Sequence, residues 1–173
     1  MALLDPARIL TRANLVLKEL QPSALWNAAL ETSGVGSTPL LVTNIAPPIV
    51  QPGIDKPLRM PDYYVVSILR GGAISARFAH HAETGNLLEA EGVKKAGTEL
   101  RPYVDPVPIV QSQMAKWSTD AGATAPKPVA VWKPCRESTS RFAPFWRFQF
   151  DNQTLYVRAD GKVFSELTVT GRG

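Results

Sequence analysis

Two stretches of the sequence, residues 63–88 and 145–167, show the same succession of short strands and turns. Each begins with an aromatic pair and continues with alternating residues, interrupted twice by a polar or glycine-containing turn. Alternation with a period of two is typical of strands, and turns at this spacing join neighbouring strands into antiparallel meanders. We therefore predict an α+β chain in which antiparallel β-meanders pack with one or two helices, as two similar small units.

The composition restricts the class of protein. The chain has 173 residues, of which 45% are apolar, and this is enough to build a core. Its fifteen prolines disfavour a regular helical bundle, because proline interrupts helices. No window holds about 18 consecutive apolar residues, so we expect no membrane span. The start of the chain lacks the pattern of a secretory signal, and the lone Cys135 cannot form an internal disulfide, so we expect a cytoplasmic protein.

Two segments carry the signals of a helix. Asp5 and Asp105 are candidate N-cap residues, and each is followed by a proline, which suits the first helical position. Apolar residues then recur at helical spacing: Ile9, Ala13, Val16, Leu17 and Leu20 in the first segment, and Ile109, Val110, Met114 and Trp117 in the second. Between them, residues 22–30 predict a second short helical piece with Leu25, Trp26 and Ala29 directed inward.

The strands and connections complete the predicted organisation. Gly71 and Gly72 predict a tight hairpin turn with positive φ angles. Residues 46–61 contain five prolines and predict an extended loop, which either carries a binding function or lies passively along a sheet edge. Residues 118–134 predict a linker rich in proline, alanine and threonine. The predicted units are residues 1–92, a helix with the first meander, and residues 93–173, a short helix, the linker and the second meander.

Basic residues are concentrated in the last part of the chain. Residues 1–120 contain 11 basic and 11 acidic residues, whereas residues 121–173 contain eight basic and four acidic ones. A basic surface attracts nucleic acid, anionic lipid or an acidic protein. Nucleic-acid-binding proteins usually cluster basic residues more densely than this, so weak nucleic-acid binding by the second unit is kept only as an alternative.

The sequence offers few groups for catalysis. His80 and His81 are its two histidines, and neighbouring residues of a strand point to opposite faces, so both cannot act on one metal ion or substrate. Cys135 has basic neighbours that could lower the pKa of its thiol. A small thiol hydrolase that uses Cys135 with His80 or His81 is therefore an alternative. We expect a non-enzymatic protein without a catalytic site, metal or cofactor.

Aromatic residues and arginines lie close together in the second unit, which is typical of protein interfaces. The candidate partner-binding residues are Trp132, Arg136, Arg141, Phe145, Trp146, Arg147 and Arg158. The aromatic residues among them could instead build the core of this unit. Strand edges offer a second contact, because an unpaired strand can pair with a partner's strand or with another copy of the chain. We therefore expect a protein or peptide partner, and homo-oligomers formed through sheet edges.

Two turn sequences resemble the hairpin tip of the PepSY-type domain, D-x-x-T-G-x-V/I. They are YVRADGKV at residues 156–163 and AETGNL at residues 82–87. The resemblance implies a helix packed on a meander, as in the neighbouring cystatin-like arrangement, and a role in restraining peptidases or binding peptides. The extracytoplasmic setting of that family differs from the location expected above. The chain is therefore predicted to be a protein- or peptide-binding module, such as a peptidase inhibitor or regulator or an assembly subunit.

Overall fold

The computed structural model describes residues 2–48, 59–114, 124–138, 140–151 and 153–168. Within these ranges the helices are α1 (Pro6–Leu20), α2 (Asn27–Leu30) and α3 (Pro106–Met114). The strands are β1 (Gly34–Val35), β2 (Leu40–Asn44), β3 (Tyr63–Arg70), β4 (Ala73–His81), β5 (Leu87–Gly92), β6 (Val129–Trp132), β7 (Phe145–Gln149), β8 (Thr154–Arg158) and β9 (Val163–Phe164). Among the described strands only β2 and β6 pair in parallel, and the predicted α+β chain of antiparallel meanders is confirmed.

The chain forms two compact units. Unit 1 comprises Met1–Val42 and Met60–Pro102, and unit 2 comprises Thr43–Arg59 and Tyr103–Gly173. In unit 1 the strands follow the order β5-β4-β3-β2, and β1 also pairs with β3. In unit 2 the order is β6-β7-β8-β9, and the last two residues of β2 pair with β6. The predicted boundary between residues 92 and 93 stays a prediction.

Helix α1 begins where the sequence predicts. The Asp5 carboxylate accepts a hydrogen bond from the Ala7 amide at 2.7 Å, and Pro6 occupies the first helical turn. Helical spacing then places apolar residues on one side of α1, and this side packs into the core of unit 1. Its buried members are Ile9, Ala13 and Leu17.

Replacement of this N-cap residue tests how much the helix start contributes to stability. We expect Asp5→Ala to lower the free energy of unfolding by about 1 kcal/mol, because the first amides of α1 lose their side-chain acceptor. Asp5→Asn keeps a side-chain oxygen and is the matched control, with a smaller expected loss. Urea denaturation followed by circular dichroism measures both variants, and equal losses would contradict the capping role.

The segment after α1 differs from the prediction. Its helix is limited to Asn27–Leu30, and the predicted inward position of Leu25 is wrong, because this side chain is 94% exposed. A turn precedes the helix, in which the Trp26 amide donates to the Ser23 carbonyl at 2.9 Å. This turn directs Trp26 towards Phe78, and the two rings meet edge-on with centroids 6.5 Å apart.

The first meander follows the predicted alternation. Strands β3 and β4 pair along their length, and the turn residues Gly71 and Gly72 have φ angles of 58° and 88°. Positive φ at both central positions is the geometry of a type I′ hairpin, which glycine adopts without strain. One face of this meander packs against the helices of unit 1 through Tyr64, Val66, Ile68, Ala76 and Phe78.

Unit 2 contains a strand where the sequence predicted a linker. Strand β6 lies within residues 118–134 and pairs antiparallel with β7 and parallel with β2. Its four residues, Val129–Trp132, are mostly β-branched or aromatic and favour a strand. Prolines at positions 126, 128 and 134 surround it, and their turn-forming tendency conceals so short a strand.

Helix α3 covers one face of the second meander. The Asp105 carboxylate accepts a hydrogen bond from the Val107 amide at 3.0 Å, in the arrangement predicted for an N-cap. The helix residues Val110 and Met114 pack against Phe148, Leu155 and Val157. Trp117 and residues 49–58 of the proline-rich segment, both used in the predictions, lie outside the described residues. No helix in the described ranges is long and apolar enough to cross a membrane.

Candidate functional site

The alternation of β7 separates the predicted partner-binding residues onto two faces of the unit 2 sheet. Trp146 packs with Phe148 on the face that α3 covers. Phe145 and Arg147 lie on the opposite face, together with Arg158, the cross-strand partner of Phe145. We call this second face the Arg147 face. It is formed by Val129, Val131, Phe145, Arg147, Tyr156, Arg158 and Phe164.

A row of four directly paired residues crosses the Arg147 face. Val129 pairs with Arg147, Arg147 pairs with Tyr156, and Tyr156 pairs with Phe164 on the edge strand β9. Directly paired residues of antiparallel strands have Cβ atoms about 4.5–5.5 Å apart, so neighbouring side chains of the row lie within contact distance. The row therefore combines an aliphatic, a cationic and two aromatic groups in one line.

One end of the Arg147 face is buried and the other is accessible. Phe145 is fully buried, and its ring meets the rings of Tyr156 and Phe164 edge-on, with centroids 6.3 and 6.0 Å away. At the other end Val129 is 44% exposed, and Arg147 and Tyr156 are half-buried. Phe145 therefore belongs to the buried end of the face, and the accessible surface centres on Arg147.

Arg147 carries an uncompensated charge on this surface. Neither its guanidinium nor the Tyr156 hydroxyl forms a hydrogen bond or ion pair with the residues that the structure describes. A guanidinium presents its donors as a planar fork that fits a carboxylate with two parallel hydrogen bonds. Arginine and tyrosine are also the residues that most often dominate the binding energy of protein interfaces. The site can therefore bind an acidic group, with Val129 offering an adjacent apolar contact.

Arg158 lies on the same face, but its charge is compensated. Its guanidinium donates to both carboxylate oxygens of Asp160, at 2.9 and 2.6 Å, and to the carbonyl oxygen of Glu137. The hydrogen bond from Arg158 lowers the pKa of the Asp160 carboxyl to about 2. The guanidinium carbon also lies 5.7 Å from the centroid of the Phe164 ring. Arg158 therefore fixes the turn after β8 and does not present a free cation.

Trp132 and Arg141 contact each other. Trp132 is 6% exposed, and its indole nitrogen donates to the Ser140 carbonyl at 2.8 Å and to the Ser138 hydroxyl at 3.2 Å. The guanidinium carbon of Arg141 lies 5.9 Å from the centroid of the Trp132 ring. Arg136, by contrast, is exposed in the loop after β6. Trp132 therefore anchors this loop and has almost no surface left for a partner.

The environment of Cys135 favours the neutral thiol. The side chain is 4% exposed and packs with Phe145 and Leu167. Burial raises the pKa of the thiol, which is opposite to the effect expected from its basic neighbours. The thiolate is the nucleophilic form, so this environment does not activate the group. Cys135 belongs to unit 2, whereas His80 and His81 belong to unit 1.

Three members of the accessible row, Val129, Tyr156 and Phe164, were missed by the sequence analysis. Tyr156 is two residues from Arg158, so the period of a strand already places both on one face. Val129 lies in the segment predicted to be a linker, and only the register of β6 brings it next to Arg147. The signal for Tyr156 was therefore present in the sequence, whereas the position of Val129 required the strand pairing.

Within the described ranges, no group of three or more His, Cys, Asp or Glu side chains could hold a metal ion. The chemistry of the Arg147 face is therefore the basis for a proposal about function. The chain matches no protein-family model, and comparisons with curated proteins and with solved structures give no match either.

Proposed function

We propose that the chain is a protein- or peptide-binding module whose Arg147 face receives an acidic segment of the partner. One observation carries the proposal: Arg147 has no counter-ion among the described residues and lies in one cross-strand row with Val129 and Tyr156. Partial removal of a cation from water costs free energy, and a partner's carboxylate offsets this cost with charge-assisted hydrogen bonds. An unpaired arginine on a folded surface is therefore prepared for an acidic ligand.

The length of the row suits a short peptide segment. Four neighbouring strands span three inter-strand spacings, or about 14 Å. An extended chain covers this distance with about four residues. An acidic side chain of such a segment would meet Arg147, and apolar side chains two positions before and after it would meet Val129 and Tyr156, because these positions share one side of an extended peptide. The preferred ligand is thus an extended peptide in which an acidic residue has apolar residues two positions away on either side.

The charge of unit 2 supports an acidic partner. Two of its acidic side chains are already engaged, because Asp160 pairs with Arg158 and Glu137 accepts a hydrogen bond from the Thr168 amide. Several basic side chains of the unit remain exposed: Lys127, Arg136 and Lys162. A surplus of positive charge accelerates the encounter with an acidic partner, and this effect declines as salt concentration rises.

The resemblance to the PepSY-type domain gives a more specific version, in which the partner is a peptidase or a propeptide and binding regulates it. The order of elements supports this version, because α1 precedes the meander β3–β5 and α3 precedes the meander β7–β9. The thiol-hydrolase and nucleic-acid alternatives stay predictions, as does the cytoplasmic location. The raised pKa of the Cys135 thiol favours peptide binding over thiol chemistry.

Charge reversal at the centre of the row tests the proposal. We expect Arg147→Glu to weaken the binding of acidic peptides at least about tenfold, because it removes the donor fork and adds a like charge. The probes are fluorescently labelled dodecapeptides in which Glu has Val or Phe two positions before and after it, and fluorescence anisotropy measures their dissociation constants at two salt concentrations. Peptides with Lys in place of Glu are expected to prefer the Arg147→Glu protein.

Arg8→Glu is the matched control for this experiment. Arg8 is an exposed arginine of α1 in unit 1, so the net charge changes by the same amount at a distant position in the sequence. Equal weakening by both variants would reveal general electrostatic attraction and contradict the proposal. A wild-type protein that binds the Glu and Lys peptides equally, or binds neither, would contradict it as well. Retention on single-stranded DNA that Arg147→Glu abolishes would favour the nucleic-acid alternative instead.

A further inference from the structure

Both histidines of the chain hold the same turn in unit 1, and they do so in opposite tautomers. The Nδ1 atom of His80 lies 3.0 Å from the Gly85 carbonyl oxygen, which can only accept, so this Nδ1 carries the proton. The Nδ1 atom of His81 accepts from the backbone amides of Glu83 and Thr84, at 3.1 and 3.4 Å, so it carries none. We call residues 80–86 the histidine turn.

The histidine turn contacts the start of α1. The Leu4 amide donates to the Ala82 carbonyl at 2.8 Å, and the Tyr64 hydroxyl donates to the Leu4 carbonyl at 3.2 Å. Gly85 has a φ of 72°, and a Cβ built on it would lie 3.1 Å from side-chain carbons of both Leu4 and Arg12. The turn therefore depends on glycine at this position, and its conformation fixes the segment that leads into α1.

We propose that the histidine turn is a proton-sensitive latch, which opens when His80 and His81 take up protons and then releases the start of α1 from the meander of unit 1. A second proton on His81 would occupy Nδ1, and the amides of Glu83 and Thr84 would lose their acceptor. The new N–H group would then face these two amide donors. A second proton on His80 would occupy Nε2, which is buried and has no hydrogen-bond partner among the residues that the structure describes. The fully buried ring would then be a cation with an unsatisfied donor.

The sign of the pH dependence follows from the burial of His80. Burial lowers the pKa of this imidazole, and the bond to the Gly85 carbonyl opposes that effect in part. A base whose pKa is lower in the folded state stabilises that state at pH values above its ordinary pKa, about 6.5 for histidine. This stability declines as the pH falls through 6.5 towards the pKa of the closed state. The latch is therefore closed at neutral pH and weakens on acidification.

Several ionisable side chains lie around the histidine turn. In the strand register Tyr64 lies opposite His80 on one side and the apolar Leu87 on the other, and Tyr63 lies opposite His81. The charged neighbours are Arg12 of α1, Glu83 within the turn and Asp62, whose carbonyl accepts from the Ala82 amide. Histidine is the side chain whose ordinary pKa lies between pH 5 and 8, so the two imidazoles are the groups that the experiment below addresses.

Hydrogen exchange on the whole chain tests the latch, since the sequence contains two histidines and no more. We expect the protection factors of the Leu4 and Gly85 amides to fall between pH 7 and 5, by up to about tenfold per pH unit for each proton taken up on opening. The Arg158 amide, which donates to the Lys162 carbonyl in unit 2, is the internal control and is expected to keep its protection. Unchanged protection at Leu4 and Gly85 would overturn the proposal.

The variant His80→Asn/His81→Asn removes both titrating groups but keeps their local hydrogen-bonding chemistry. The side-chain amide of asparagine at position 80 can donate to Gly85, and the side-chain oxygen at position 81 can accept from the turn amides, as in an Asx-turn. In this double variant the protection factors of the Leu4 and Gly85 amides are expected to be the same at pH 7 and 5. A fall equal to that of the wild type would overturn the proposal.

Nitrogen NMR of the wild-type imidazoles decides the question even if this variant does not fold. At pH 7.5 we expect neutral rings with the proton on Nδ1 of His80 and on Nε2 of His81. The same tautomer on both rings would overturn the latch. The latch would be overturned equally if both rings stayed neutral, in opposite tautomers, down to pH 5 while the amides of the histidine turn kept their protection from exchange.

Discussion

Phe78→Ala is expected to lower the free energy of unfolding of unit 1 by about 3–5 kcal/mol. The ring is fully buried and lies edge-on to Trp26 and to His80, with centroids 6.5 and 6.3 Å away. Its removal leaves a cavity between the meander and the helices, and that cavity cannot close completely because α1 is fixed at its start by the Leu4 amide. The loss therefore includes both the transfer free energy of the ring and the contacts of its neighbours.

Amide exchange in β3 and β4 measures this loss in unit 1 directly. Leu25→Ala is the matched control: Leu25 is the residue before Trp26 in the chain but is 94% exposed, so its truncation should change stability by no more than about 0.5 kcal/mol. Comparable losses in the two variants would show that the core of unit 1 is not organised around Phe78.

The elements that the sequence predicted correctly are those specified by neighbouring residues. Helix α1 starts at a carboxylate N-cap followed by proline, and the Gly71–Gly72 turn requires positive φ at two positions. Both signals operate over a few residues and need no tertiary partner. Strand alternation is equally local, and a period of two is enough to separate Phe145 and Arg147 from Trp146.

The features that the sequence did not predict depend on contacts between distant segments. Strand β6 is four residues long, and it gains its hydrogen bonds from β7 and β2, which lie far away in the chain. Leu25, Trp26 and Ala29 were all predicted to point inward, and the turn before α2 leaves Leu25 94% exposed while Trp26 contacts Phe78. Helical spacing alone does not specify which residues such a turn exposes.

The candidate site shows the same division. Proximity in sequence grouped Trp132 and Arg141 with Arg147, but Trp132 is buried in its own loop. The row that gathers Val129 and Tyr156 around Arg147 exists only in the register of three strands. The adjacent histidines were expected on opposite faces of a strand, and their bonds to one turn became apparent only from side-chain geometry.

Phe145→Ala is expected to lower the free energy of unfolding of unit 2 by about 3–5 kcal/mol. Phe145 is fully buried, and it supports two aromatic rings of the Arg147 face, those of Tyr156 and Phe164. Edge-on pairs of this kind contribute about 0.5–1.5 kcal/mol beyond the burial of area, so the loss should lie towards the upper end of the range. Amide exchange in β7 and β8 measures the loss in unit 2 directly.

Val129→Ala separates the core function of this face from its proposed binding function. Val129 is 44% exposed at the accessible end of the row, so its truncation should lower stability by less than about 1 kcal/mol. It should nevertheless weaken the binding of the acidic peptide several-fold, since the peptide loses an apolar contact beside Arg147. The Phe145→Ala variant is studied at a temperature where unit 2 remains folded. It should weaken the binding of the same peptide less than Arg147→Glu does, because Phe145 has no accessible surface to offer a partner. If Phe145→Ala abolished binding in a folded protein while Val129→Ala had no effect, the ligand would bind at the aromatic rings around Phe145. The accessible row around Arg147 would then not be the binding site.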